Sequence, residues 1–447
     1  MALFAGVLAG VSAISGICST PLALRAELLI AAPKITQAAL AASTDYFTWR
    51  LAERAFGPRS SAAWASTVRE SSLMHKGLSS SNGVLTLSIL ADRSYYGVWT
   101  FPPLRFVHFN IAKSLAVFYG TNRADYYLTE GLPLLLTTAL PFAAYGTWAA
   151  LRGNGTPTPM LAHLALTCLT MVGALSLISH KEVRFIYPLL PMLHVLAAQP
   201  VSTLFHPLTS RKKAVLALIL AINVLVAGYA SQVHQRGVID VLHMLRHQHE
   251  SQAVKQSDAK SGESNETTVG FLMPCHSTPW RSHFVHPDIK AWALTCEPPI
   301  DVPLDRRASY LDEADEFYLD PGPVAWLTRH MESVGTIRGK EHVSKDKVGH
   351  NTGGPEPKRP WPKYLVFFQQ LEGTLNELLQ GTRYSECWRG FNSHFHDDWR
   401  RKGDVVVWCL DDDAADGAHG RVEQAGNPGG KRISSGQFAM ENLHRGL

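Results

Sequence analysis

Over residues 1–230 the chain alternates long apolar runs with short charged breaks, and beyond them that rhythm stops. A helix crosses the ~30 Å hydrocarbon core of a bilayer with about 20 mainly apolar residues. The best candidates are Leu132–Leu151, Pro159–Ile178, Val183–Ala198 and Ala214–Ala230. Met1–Cys18 and Leu28–Ala42 are weaker, and Pro33 and Lys34 interrupt the second. Val84–Ala91 is apolar but too short to span alone. Met1–Cys18 has the length of a secretory signal but no basic n-region, which argues against that reading. Residues 45–57 read as an amphipathic helix that stops at Gly57-Pro58. Residues 66–83 are polar and Ser-rich, with no periodicity.

Beyond residue 230 the pattern predicts a different kind of unit. Residues 231–269 read as a polar linker. Residues 270–320 and 360–410 contain short apolar and aromatic runs that suit strands, clearest in Lys363–Phe368 and Asp404–Leu410. Residues 335–360 and 411–436 are rich in Gly, Pro and charge and read as disordered. The expected fold is therefore mainly α: a multi-pass membrane domain over 1–230 with a polar loop at 92–131, then a mixed α/β domain over 270–447.

Charge adds an orientation. Arg152 and the group Arg211, Lys212 and Lys213 lie in short loops on one side of the expected spans. The positive-inside rule makes that side cytoplasmic. The other side then receives residues 110–131, the break at 180–184 and everything after 230. A glycosylation sequon, Asn265-Glu266-Thr267, requires a lumenal position and falls there. The net charge of +4 over 447 residues is too small and too dispersed for a nucleic-acid binder.

Of the six cysteines, Cys18 and Cys168 lie in apolar segments. Cys275, Cys296, Cys387 and Cys409 lie in the tail, where an oxidising lumen permits two bridges in three connectivities. No CxxC pair suits structural zinc.

The candidate chemistry lies at the charged breaks. His180, Lys181, Glu182 and Arg184 sit between two membrane-length runs, and ionisable groups are costly at bilayer depth. Lys and Arg can neutralise a phosphate, and His or Glu can hold a hydroxyl or move a proton. The plainer reading is a loop of snorkelling charges. Asp92, Arg93, Tyr96 and Trp99, with Asn110 and Tyr119, combine aromatic and polar groups as a sugar site does, or as an interfacial aromatic belt does. His276 lies in a Pro- and Cys-rich motif, and His394-Phe395-His396-Asp397-Asp398 has metal-ligand types at close spacing. Both read more simply as structural corners of the tail.

The stretch HKEVRFIYPLLP from His180 to Pro191 resembles the hallmark of the polytopic, dolichyl-phosphate-mannose-dependent mannosyltransferases of the endoplasmic reticulum. DRSYYGVWTF at 92–101, FYGTNRADYYLTEGLP at 118–133 and LMPCHSTPWRSH at 272–283 are similar to the members that add the third, α-1,2-linked mannose of the GPI anchor. EADEFY at 313–318 and the stretch from Tyr384 to Cys409 are similar to fungal members. The resemblance covers most of 1–230 and patches of the tail.

The resemblance implies a GT-C-type membrane fold in the endoplasmic reticulum membrane, with a lumenal C-terminal domain. It implies an inverting transfer from dolichyl phosphate mannose to a GPI precursor, with no metal or other cofactor. Lys181 and Arg184 would hold the leaving phosphate. The family's acidic loop, thought to supply the catalytic base, would lie before Met1, and further membrane helices would lie near 66–84. This predicts little activity for the chain as written and leaves the base unassigned. The rival readings are a non-catalytic relative that binds lipid-linked glycans and a sister enzyme of N-glycan assembly. A transporter is weaker, since no paired repeats are visible.

Overall fold

The computed structural model describes residues 2–18, 20–57, 86, 88–94, 96–113, 115–153, 159–259, 266–300, 302–303, 305–337 and 358–411. The regions read as non-periodic or disordered at 66–83 and 411–436, apart from Asp411, fall outside these residues, as do Asn265 and most of 335–360. Two compact units result: Met1–Ala227 with Pro298–Val302, and Gly228–Glu297 with Pro303–Leu447.

The first unit is helical. Its principal helices are α1 (Ala2–Ile17), α2 (Leu22–Phe56), α3 (Leu140–Arg152), α4 (Pro159–Ser176), α5 (Leu190–Phe205) and α6 (Ser210–Gln232), the last of which runs on into the second unit. Four stretches are long and apolar enough to cross a membrane: Tyr127–Arg152, Pro159–Ser176, Val183–Phe205 and Ser210–Gln232. They coincide with the four best sequence candidates. α2 departs from expectation, since the Leu28–Ala42 run and the amphipathic segment at 45–57 form one 35-residue helix. Pro33 does not end it, because only one ladder bond is lost and neighbouring groups can satisfy the freed carbonyl.

Between 92 and 131 the chain folds into short helices and turns. They are Pro102–Val107, a π turn at His108–Ala112, a 3-10 turn at Leu115–Tyr119 and a second π turn at Tyr127–Gly131. The core of this unit is small-residue packing: Ala143 and Ala150 of α3, Ala165 and Cys168 of α4, and Leu193, Leu196 and Ala197 of α5 are buried together with Ala52 and Ala55 of α2. Small side chains let backbones approach where lipid supplies no hydrophobic drive. α6 buries nothing, and Leu218 and Leu225 are widely exposed along it, as on a lipid-facing span.

The second unit is a five-stranded sheet covered on both faces. Its strands are β1 (Thr267–Leu272), β2 (Ile289–Ala293), β3 (Tyr364–Phe368), β4 (Tyr384–Ser393) and β5 (Gly403–Leu410), in the order β2-β1-β3-β5-β4. β1 pairs in parallel with β2 and β3, and β5 runs antiparallel to β3 and β4. β3 is buried throughout, as a central strand with both faces covered should be.

Two-residue alternation divides the core. Tyr364, Val366, Phe368, Val405 and Val407 face helix α7 (Gly237–Ala259). Leu365, Phe367, Val406 and Trp408 pack with residues of α8 (Glu313–Tyr318), α9 (Pro323–His330) and α10 (Glu372–Leu378). Helix α7 corrects the reading of 231–269 as a linker. Val238, Val241, Leu242 and Leu245 recur at helical spacing and are buried on the sheet, although the residues between them are polar. Disulfides join Cys275 to Cys296 and Cys387 to Cys409, with Cα atoms 6.0 and 5.7 Å apart.

Candidate active site in the break between two spans

α4 ends at Ser176, and the chain turns through residues 177–180 into an extended pair, Lys181-Glu182. A 3-10 helix over Val183–Leu189 then leads straight into α5. Its three-residue period sorts the side chains. Ile186 and Leu189 point into the core, while Arg184 and Tyr187 face outward. Two buried aliphatic anchors thus fix the turn that presents Arg184.

Glu182 is the hub of the cluster. Its carboxylate accepts from His180 Nε2 at 2.9 Å and from the Arg184 guanidinium at 2.7 Å. A second contact joins Arg184 Nε to the other carboxylate oxygen. Burial alone would raise the Glu182 pKa, but the hydrogen bonds from His180 and Arg184 outweigh it and hold the group below the ordinary carboxylate range. Glu182 is thereby ionised and engaged, which suits a clamp better than a general base. The Arg184 side chain remains 69% exposed. The clamp orients that guanidinium without enclosing it.

Lys181 is placed differently. It is only 4% exposed. Its backbone N–H donates to Asn122 Oδ1 at 2.8 Å, and its ammonium donates to the Asn122 carbonyl at 3.2 Å. The Asn122 N–H in turn donates to the Ser179 carbonyl at 3.0 Å. Among the described residues the ammonium therefore meets a carbonyl where a buried cation would ordinarily take a carboxylate. Burying a charge without an opposite charge is costly, so an arriving anion would be favoured there.

The remaining candidates separate. Phe185 carries the aromatic edge of the cluster, packing against His180 at 6.3 Å and against Phe106 at 6.2 Å. Arg93 lies over the Trp99 ring at 5.6 Å, and Tyr96 and Trp99 are exposed. Asp92 is half-buried beside Arg93 in the helical stretch at 88–94. Asn110 turns back to the Phe106 carbonyl of its own helix. Tyr119 lies in the 3-10 turn that precedes Asn122. His276 belongs to the second unit, exposed on a turn with φ 57°. His394 and His396 act as structural partners there: His394 meets the Tyr229 hydroxyl at 2.9 Å, and His396 Nδ1 accepts from the Asp398 N–H at 3.0 Å. Sequence reasoning did not single out Asn122 or Phe106. Asn122 lies inside the 118–133 motif, but nothing local indicates that it reaches Lys181, 59 residues away.

The Alg9-like mannosyltransferase family model matches residues 67–285. GPI mannosyltransferase 3 of Emericella nidulans is 44% identical to this chain, with 87% of the chain and 66% of the relative aligned. GPI mannosyltransferase 3 of Aspergillus fumigatus is 37% identical, with 92% of the chain and 69% of the relative aligned. The mouse GPI alpha-1,2-mannosyltransferase 3 is 33% identical, over 72% of the chain and 49% of the relative. The chain thus spans about two thirds of the length of these fungal relatives and about half that of the mouse protein. No solved structure matches it.

Proposed function

The chain belongs to the Alg9-like mannosyltransferase family, and from that premise we propose that it transfers an α-1,2-linked mannose from dolichyl phosphate mannose to a GPI precursor. The observation that carries the phosphate-linked donor is the pairing of a buried Lys181, which meets no carboxylate among the described residues, with an exposed, clamped Arg184 on one short turn between two spans. Arg184 has one edge held by Glu182, and its side chain is 69% exposed, open to a phosphate oxygen. Lys181 supplies positive potential from beneath. As the glycosidic bond to phosphate breaks, negative charge grows on the leaving oxygen, and preorganised cations stabilise that charge most. Phosphate leaves readily, so the acid requirement is small. The base that takes the acceptor hydroxyl's proton is left unassigned.

The proposed setting is the endoplasmic reticulum membrane, in a GT-C-type arrangement with the His180–Arg184 turn and the second unit on the lumenal side. The basic loops Arg152 and Arg211–Lys213 support that orientation.

The test is rescue of cells lacking the third GPI mannosyltransferase with a chimera in which this chain replaces the aligned residues of the Aspergillus fumigatus relative, followed by chromatography of their lipid precursors. The reading expects the two-mannose precursor to be consumed. Persistence of that precursor with the protein present at normal abundance, or accumulation of a one-mannose species, counts against it.

A further inference from the structure

The second unit contains the last turn of a membrane-length helix. α6 runs from Ser210 to Gln232, and the unit begins at Gly228. Its apolar run, Ala214–Ala230, rises through about 25 Å at 1.5 Å per residue, which nearly spans a hydrocarbon core. Tyr229 therefore lies at the far end of the span from Arg211–Lys213, where tyrosines sit at the headgroup level.

A loop of the second unit is stacked on that tyrosine. The Phe395 ring lies 6.4 Å from the Tyr229 ring and 5.3 Å from the His234 ring, nearly parallel to both. His394 holds the Tyr229 hydroxyl at 2.9 Å. The link behind it is short and tight. Four residues separate Gln232 from the start of α7 at Gly237, and a Cβ on Gly237 would lie 2.8 Å from the Phe391 carbonyl oxygen. The end of β4 is thus held against the start of α7. Phe395 is nevertheless 65% exposed, and Val233, next to His234 in the chain, is 37% exposed.

We propose that the His394–Asp397 loop is a membrane-interface anchor, which lays Phe395 among the lipid headgroups of the bilayer that α6 crosses. The occupant is a lipid surface because the exposed ring continues the aromatic level set by Tyr229. The flanking His394, His396 and Asp397 give it the polar margin of an interfacial group. The inference concerns how the second unit is held and is independent of the transferase reading.

The test places a photoreactive benzoylphenylalanine at 395 in the full chain, reconstituted in vesicles of phosphatidylcholine and phosphatidylethanolamine carrying radiolabelled phosphatidylcholine. The control position is Lys290, exposed on β2 at the opposite sheet edge, four strand spacings or about 19 Å away. Illumination should give a lipid adduct at 395 and none at 290. Adducts only with another protein or a second copy, or equal lipid labelling at both positions, would overturn the proposal. Retention of both disulfides checks that the variants are folded. A second reading uses a nitroxide on Phe395→Cys, in a chain with Cys18→Ser and Cys168→Ser. Its relaxation should respond more to lipid-soluble oxygen than to a water-soluble nickel chelate, with the reverse order for Lys290→Cys. Nickel-dominated relaxation at both positions would also refute the anchor.

Discussion

Replacing Gly146 by alanine should damage the membrane unit in a way that an equivalent change elsewhere does not. Gly146 is buried where α3 crosses α5. A Cβ there would overlap the Leu196 carbonyl oxygen and lie 2.7 Å from its carbon. Carbon atoms pack at about 3.5–4.0 Å, so the two backbones must part by roughly 1 Å. Overpacking a core typically costs ~1–3 kcal/mol, and the obstacle here is backbone that no rotamer change can move, which places the cost near 3. The helix propensity of alanine over glycine returns up to about 1 kcal/mol. The net loss is about 2 kcal/mol, roughly thirtyfold in the folding equilibrium. Gly173 in α4 is the matched control, since a Cβ there meets nothing within 4 Å. Gly173→Ala should be neutral or mildly stabilising. The assay is helical signal against rising sodium dodecyl sulfate in mixed micelles, comparing both variants with the parent. α5 also continues directly from the turn that carries Arg184, so Gly146→Ala should weaken donor use as well. If Gly146→Ala is as stable as Gly173→Ala, the close backbone crossing is wrong.

Arg184→Ala should raise the KM for dolichyl phosphate mannose by about ten- to a hundredfold, from loss of one charge-assisted hydrogen bond worth ~1.5–3 kcal/mol, with Arg184→Lys less affected. Asn122→Ala should lower donor affinity by loosening the Lys181 backbone, and Asn122→Asp should lower it further in a binding titration, because it sets a carboxylate beside the ammonium that would otherwise meet the phosphate. Glu182 has a depressed folded pKa, so its ion pairs stabilise the protein above the ordinary carboxylate pKa and are lost as pH falls through the folded value. Glu182→Gln should therefore cost less than about 1 kcal/mol at neutral pH, because the group is part exposed, and the gap to the parent should close in thermal melts taken near pH 3. The bridges close loops with sequence separations of 21 and 22 residues, each worth about 3 kcal/mol on chain-entropy grounds. Reduction should make the second unit melt first, read by proteolysis of β4 and β5. The proposed lumenal placement of the second unit is checked by glycosidase, which should shift the mass of the expressed protein, a shift that Asn265→Gln should remove.

The membrane unit was legible because a bilayer demands long uncharged runs, and the four spans follow from that rule alone. Pro33 misled, since the cost of a proline in a helix depends on neighbours that the local sequence does not name. The 231–269 stretch misled for the opposite reason. Val238, Val241, Leu242 and Leu245 form one narrow stripe, and the polar residues between them lower the average below what reads as core. β3 and β5 were readable from unbroken Val and aromatic runs. The pairing of cysteines was not, because spacing leaves three connectivities open. At the candidate site, sequence gave the charges but not their division of labour. That Lys181 is buried and Arg184 exposed depends on the 3-10 turn and on Asn122, a long-range partner with no local mark.

The sheet order has a consequence for biosynthesis. β1 is made first, yet its neighbour β3 comes about 90 residues later, and β5, made last, inserts between β3 and β4. The sheet cannot close until Leu410 has been made, roughly 140 residues after β1 ends. At about 5–20 residues per second, the apolar face of β1 waits some 7–28 s for its full set of partners. The bridge from Cys387 to Cys409 belongs to the late hairpin, whereas Cys275 and Cys296 can meet while β3 is still unmade. The nascent second unit therefore passes through an interval set by translation in which β1 lacks its β3 partner, and the Cys275–Cys296 loop is the first part of it that can be locked.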